Sequence, residues 1–304
     1  LIFDIFRFGK STPLGKIQQI IDEELIVDSQ YLKNMIRQFL AEDIGQGDIT
    51  SEPIFPPTQQ GKAFFIAKDE FITAGLATIA PMVFQCQNET IICEGIADGT
   101  KVESTETILT AEGPTLDLLK AERVALNLVQ RLCGIATLTN LYVKEVADLP
   151  VSVVDTRKTT PGLRSLEKYA VRVGGGHNHR LSLADGILIK DNHITACGSI
   201  ALAVERVRTE APHTLKIEVE SENLEQVQEC LDCGVDIIML DNMGLAMMHQ
   251  AVEMVGSKAI LEASGGVNLD NIRAIAETGV NIISVGALTH SAPACDISMR
   301  LIAI

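Results

Sequence analysis

Residues 215–241 read L-K-I-E-V-E-S-E-N-L-E-Q-V-Q-E-C-L-D-C-G-V-D-I-I-M-L-D. Along L-K-I-E-V-E, a period of two puts Leu215, Ile217 and Val219 on one face and Lys216, Glu218 and Glu220 on the other, the signature of a strand with unlike faces. A helix-length segment over 222–233 follows, then the apolar run of 237–241 ending in Asp241. Strand, helix and strand in succession define a parallel pair.

The same texture extends in both directions. Apolar runs at 151–154, 187–190, 259–264 and 282–286 alternate with helical segments around 198–210, 244–255 and 268–278, the last opening at Asn268 as cap. Each run ends in polar or glycine residues: Asp155, Arg157 and Lys158; Lys190, Asp191 and Asn192; Glu220; Asp241 and Asn242; Ser264, Gly265 and Gly266; Gly286. In a parallel α/β barrel the carboxyl ends of all strands meet on one face, where the loops build the site. A doubly wound open sheet would leave several of these ends idle. The reading is therefore α/β, with an incomplete TIM-like parallel barrel of about six or seven strands, partly closed by a first domain. That first third, with a helix from Asp28 or Ser29, strands at 61–67, 90–93 and 107–112 and a helical stretch at 76–84, reads as a small α+β domain. Pro114 stands at the start of a further helix, with Leu116, Leu119, Arg123, Leu126, Asn127 and Gln130 at helical spacing.

With 304 residues and 46% hydrophobic content the chain can bury a sizeable core. A net charge of −15 speaks against nucleic acid and anionic membranes as partners. No apolar run approaches the roughly 20 residues of a spanning helix, and no signal peptide is recognisable at the start given, so a cytoplasmic protein is expected. Residues 1–28 read as an irregular extension. Cys230 and Cys233 form a C-x-x-C without a second ligand pair, and are expected as packed thiols on or beside a helix.

Against this acidic background, residues 157–190 gather Arg157, Lys158, Arg164, Lys168, Arg172, Arg180 and Lys190, opposed only by Glu167 and Asp185. Concentrated positive charge in an acidic chain suits a multiply anionic small molecule. Opposite it, Glu220 and Asp241 on neighbouring strands suit Mg²⁺ shared with substrate oxygens. Ser264-Gly265-Gly266 and Gly286 follow the last two strands, where glycines let backbone N–H groups approach a phosphate. Gly174-Gly175-Gly176 is read as a mobile hinge carrying His179 and Arg180 to an anion, in preference to zinc held by His177 and His179. Lys216 and Glu218 lie deeper, as a buried ion pair or as catalytic groups. On its own, Arg123 reads as a surface ion-pair partner of Glu122 or Asp117.

The motifs D-T-R-K-T-T-P-G-L-R (155–164), E-K-Y-A-V-R-V-G-G-G-x-N-H-R (167–180) and L-I-K-D-N-H (188–193) resemble those of the quinolinate phosphoribosyltransferases. So do E-D-I-G-x-G-D-I-T (42–50), E-R-V-A-L-N (122–127), L-D-N (240–242) and E-A-S-G-G (262–266), and the likeness runs over about 29–300. It implies an N-terminal α/β sandwich at 29–135 and a catalytic barrel at 136–304. It further implies a homodimer, with higher assembly open, and the conversion of quinolinate and phosphoribosyl diphosphate (PRPP) to nicotinate mononucleotide, pyrophosphate and CO₂ with Mg²⁺. Carried over by position, Arg157, His179, Arg180 and Lys190 hold the quinolinate carboxylates, joined in trans by Arg123, whose surface reading is thereby reversed. Lys158 faces the reacting groups and pyrophosphate, Glu220 and Asp241 the ribose and magnesium, and Ser264, Gly265, Gly266 and Gly286 the 5′-phosphate. The rivals are a related transferase for another carboxylated base, a Schiff-base aldolase barrel using Lys158 or Lys190, and a non-catalytic sensor. The aldolase reading fits poorly, since a Schiff-base lysine is usually kept in an apolar pocket rather than among cations.

Overall fold

The computed structural model describes residues 28–304; apart from Asp28, the expected 1–28 extension lies outside the described residues. The described residues divide into two compact units, the first ending at residue 134 and taking in 293–304, the second being residues 135–292.

In the first unit, Asp28 caps the helix Ser29–Ile44, its carboxylate accepting the Gln30 N–H at 2.9 Å. Leu32, Met35, Ile36 and Leu40 form its buried face, which packs against the helix Ile79–Gln87. The strands are β1 (Gln60–Ala67), β2 (Phe71–Ile72), β3 (Ile92–Gly95), β4 (Lys101–Val102) and β5 (Thr107–Pro114). On β1, Gly61, Ala63, Phe65 and Ala67 are buried, the alternation of a sheet with one covered face. The helix Thr115–Glu145 then runs from the first unit into the second.

The second unit carries β6 (Ser152–Val154), β7 (Ile187–Ile189), β8 (Ile217–Ser221), β9 (Ile237–Asp241), β10 (Ile260–Ser264) and β11 (Ile282–Ser284). They form one parallel sheet in the order β6-β11-β10-β9-β8-β7. Sequential strands are neighbours except at β6 and β7, the pair a closed barrel would join. In their place His177 makes an isolated parallel bridge to Val154 on the free edge of β6, with His177 N donating to Val153 O at 2.9 Å. All six strands expected from sequence are present, as are the helices between them; the last begins at Ile272, with Asn268 closing the turn before it.

Residues 293–304, assigned from sequence to the barrel, belong to the first unit. There β12 (Ile297–Ala303) pairs antiparallel with β1 from Gly61↔Ala303 to Ala67↔Ile297, giving a sheet ordered β12-β1-β5-β3. The physical reason is the otherwise unpaired edge of β1, whose backbone donors and acceptors β12 satisfies.

Candidate active site

The carboxyl ends of β6 to β11 enclose a cleft of about 610 Å³. Its walls bring together Arg157 and Lys158 after β6, His179, Arg180 and Lys190 around β7, Glu220 on β8, Asp241 on β9, and Glu262 and Ser264 to Gly266 at the end of β10. Gly286 stands beside it: a Cβ there would come within 3.1 Å of Lys158 Cδ, so the glycine makes room for that side chain. Arg123 is exposed on the helix Thr115–Glu145, in the first unit, outside the set gathered by the second.

Two of the cations are held locally, and a third has an unmet donor. Lys190 Nζ is paired with Glu220 Oε1. Arg180 Nη1 donates to Gly186 O at 3.0 Å, and burial together with the nearby Arg157 charge lowers the pKa of its guanidinium. Arg157 Nε is buried without a hydrogen-bond partner. A buried, unmet guanidinium donor is costly unless an anion completes it.

Behind the cations lies a buried clamp that sequence reading did not assemble. Asp155 accepts from Lys168 Nζ, from the His179 N–H at 3.0 Å and from Asn178 Nδ2 at 2.5 Å. Lys168 Nζ also donates to His179 O at 2.9 Å, and Asn178 Nδ2 to Lys168 O at 2.9 Å. These bonds fix the backbone that carries His179 and Arg180. Two of the three glycines before it, Gly174 and Gly176, are packed rather than hinge-like, and the exposed Gly175 makes a turn between them. A Cβ on Gly174 would lie 2.4 Å from Ala136 O, one on Gly176 2.8 Å from Thr139 Cγ2, and Gly175 turns the chain at φ +94°. Their use is close approach to the helix Thr115–Glu145.

At the floor of the cleft His179 Nε2 lies 3.2 Å from Glu218 Oε2 and 3.6 Å from Glu262 Oε1. This replaces the Lys216–Glu218 ion pair as an expectation. Lys216 is exposed at the start of β8, whereas Glu218 points into the barrel toward groups from other strands. Burial, then the Glu218 charge, pushes the Glu262 carboxyl up to about 7. Burial opposes protonation of His179, but its bond to Glu218 and the two carboxylate charges outweigh it and raise its pKa. Although this trio has the donor set of a metal site, the imidazole is turned the wrong way. Its Nδ1 accepts the Arg180 N–H at 2.7 Å, which leaves the neutral ring's proton on Nε2, facing the acids. A ligating histidine instead donates from its second nitrogen.

On the opposite wall Asn242, at φ +53°, donates from Nδ2 to Asp241 Oδ2 at 3.0 Å. Gly265, at φ +93°, leaves the space for it: a Cβ would meet Asn242 Oδ1 at 2.2 Å. Gly266, also at positive φ, follows. Sequence reading missed Glu262 as a site residue, although its place between Leu261 and Ala263, in step with Ser264, is the inward phase of a buried strand.

Fold and site together define an α/β-barrel protein whose strand ends hold a cleft that is cationic on one wall and carboxylate on the other. Residues 135–300 match the family described as quinolinate phosphoribosyl transferase, C-terminal domain, and residues 48–133 match its N-terminal domain. The chain is 47% identical over 268 residues to a probable nicotinate-nucleotide pyrophosphorylase [carboxylating] of Bacillus subtilis, covering 88% of this chain and 92% of that one. It is 39% identical over 292 residues to a quinolinate phosphoribosyltransferase [decarboxylating] of Nicotiana tabacum, covering 89% and 82%. The solved structure of NadC from Streptococcus pyogenes superposes with a TM-score of 0.85 at 38% identity, covering 98% of this chain and 100% of that one. The chain belongs to the quinolinate phosphoribosyltransferase family.

Proposed function

We propose that this protein transfers the phosphoribosyl group of PRPP to quinolinate and releases nicotinate mononucleotide, pyrophosphate and CO₂, a step of NAD synthesis. The observation that carries this reading is the pairing of Arg157, with its unmet buried Nε, and Arg180 in one cleft. Quinolinate brings two carboxylates, and guanidinium groups offset the cost of taking them out of water while fixing the ring. Lys190, once released by Glu220, supplies a third cation, and Lys158 faces the departing pyrophosphate.

The ring nitrogen displaces pyrophosphate at the anomeric carbon through a transition state with positive charge on the ribose, which Glu220 and Asp241 stabilise from the acidic wall. Ser264, Gly265, Gly266 and Gly286 take the 5′-phosphate. The pyridinium so formed draws electrons from the adjacent carboxylate bond, and CO₂ leaves without a Schiff base. Positioning and electrostatics are the protein's main contributions.

Glu220 and Asp241 are oxygen donors at a cleft open to substrate, and each is already held by a neighbour, Lys190 and Asn242 respectively. Such a set fits Mg²⁺ that takes one or two carboxylates and completes its shell with substrate phosphate and water. When bound, Mg²⁺ supplies neutralisation of pyrophosphate charge. The working form is a cytoplasmic homodimer to which Arg123 contributes in trans.

The test is PRPP-dependent CO₂ release from carboxyl-labelled quinolinate, with and without Mg²⁺. Release that needs both substrates and the metal is the expected result; a protein that binds either ligand without turnover is a sensor, and borohydride trapping of a carbonyl substrate marks the aldolase alternative.

A further inference from the structure

The second unit contains another cavity, of about 390 Å³, on the side of the barrel away from the cleft. Its walls are the amino-terminal ends of the strands, including Gly186, Lys216, Ile237 and Ile282, and Thr214 and Lys216 expose it to solvent. His179 and Glu262 line both spaces, and Glu218 lines the inner one. The three residues therefore form a thin polar partition between the reaction cleft and a solvent pocket. Glu262, 2% exposed, and Glu218, 4% exposed, each keep an Oε1 buried without a hydrogen-bond partner. Two carboxylates placed together out of water hold a proton between them, because both cannot ionise cheaply.

We propose that Glu262 is the proton donor that replaces CO₂ on the pyridine ring, and that it is recharged from the far side of the barrel through the second cavity. This rests on the reaction proposed above, which leaves a carbanion needing a proton while the cleft is filled by product. The bond between ring carbon and carboxylate carbon breaks, its electron pair stays on the ring carbon beside the cationic nitrogen, and CO₂ departs. The Glu262 proton then forms the new C–H bond. Glu262, now a carboxylate, takes a proton from water in the second cavity, whose size admits several molecules, and the hydroxide left behind passes out to bulk solvent. Glu218 from β8 and His179 from the segment before β7 face Glu262, with Ser284 of β11 beside it and Asp241 and Arg180 across the cleft. The fixed Nε2–H of His179 is directed at Glu218, 3.2 Å away, and burial together with the Glu218 charge favours the protonated form of Glu262, which is where the mobile proton sits.

The experiment compares wild type with Glu262→Gln, which keeps shape but holds no acidic proton. Quinolinate affinity by titration should stay within about threefold, while CO₂ release in a single turnover falls on the order of 100-fold. The wild-type rate should decline as pH rises past about 7 and the variant's should not. Glu218→Gln removes a neighbouring negative charge, so its declining limb should move to lower pH. An unchanged rate in Glu262→Gln, or a slowed rate that keeps the wild-type limb, overturns the proposal. If Glu262→Gln fails to fold, an unmoved limb in Glu218→Gln overturns it alone. Absence of CO₂ release from wild type would instead remove the transferase reading itself.

Discussion

Lys168 and Asp155 form an ion pair with side chains 2% and 0% exposed, and the same carboxylate carries the His179 N–H. Burial raises the Asp155 pKa and lowers the Lys168 pKa despite their contact, so desolvation outweighs attraction on both sides. Removing one partner then strands a buried charge. Lys168→Met should cost about 3–5 kcal/mol in urea unfolding and weaken quinolinate binding through displaced His179 and Arg180. A loss below about 1 kcal/mol would show that the pair does not hold the site.

Glu262 also sets a stability-versus-pH signature. Its folded pKa, about 7, exceeds the unfolded 4.5, so the folded state binds more protons between these values. The stabilisation is complete below pH 4.5 and lost as pH rises through 7, amounting to about 3 kcal/mol. Glu262→Gln should abolish this dependence and gain on wild type by about that amount between pH 5 and 8. Parallel denaturation curves for the two proteins at every pH would contradict it.

Gly265 and Asn242 share one space. In Gly265→Ala the new Cβ meets Asn242 Oδ1 at 2.2 Å and the backbone must keep φ +93°. Strain at such a position costs about 1–3 kcal/mol, and moving Asn242 frees Asp241. The expected result is a rise of at least about tenfold in KM for PRPP, at 1.4 kcal/mol per tenfold, with quinolinate affinity little changed. Equal weakening of both ligands would place Gly265 outside the phosphate wall.

Much of this architecture is legible in the chain because parallel strands buried on both faces leave short apolar runs, and their polar ends mark one rim. The places of Glu220, Asp241 and Lys190 on that rim are legible in this way. The clamp of Asp155, Lys168 and Asn178 is not, since a lysine on a helix and an asparagine beside histidines have no period that announces contact. Glu262 escaped for the opposite reason: its apolar neighbours make A-I-L-E-A-S read as core. The strand Ile297–Ala303 was misplaced because its pairing with β1 spans most of the chain, and nothing local records such a partner.

Lys190 and Glu220 neutralise each other before substrate arrives. Glu220→Gln therefore frees Lys190 for a carboxylate while removing charge from the acidic wall. Quinolinate affinity should hold or improve, and CO₂ release should fall on the order of 100-fold. Lys190→Ala should instead weaken quinolinate by about 1.5–3 kcal/mol, the worth of a charged hydrogen bond. Titration calorimetry and single-turnover assays separate the two, and losses of binding in both variants would mean the pair works as a unit.

Arg123 gives the sharpest test of assembly. It stands exposed on the helix Thr115–Glu145, four residues before the exposed Asn127 and thus on the same helical face, with no ion pair to Glu122 or Asp117 among the described residues. Asp117 is instead engaged by Gln87 and Asn88, at 2.8 and 2.7 Å. An unpaired guanidinium on an acidic protein is available to an anion held by another subunit. Assayed at quinolinate well below the KM of either variant, Arg123→Ala and Lys190→Ala should each keep only a small fraction of wild-type activity alone. Mixed and allowed to exchange subunits, they form heterodimers in which one site keeps both residues, and about a quarter of wild-type activity should return for random dimer pairing. No recovery, with exchange verified by tagged subunits, would assign Arg123 to its own chain's site or to none.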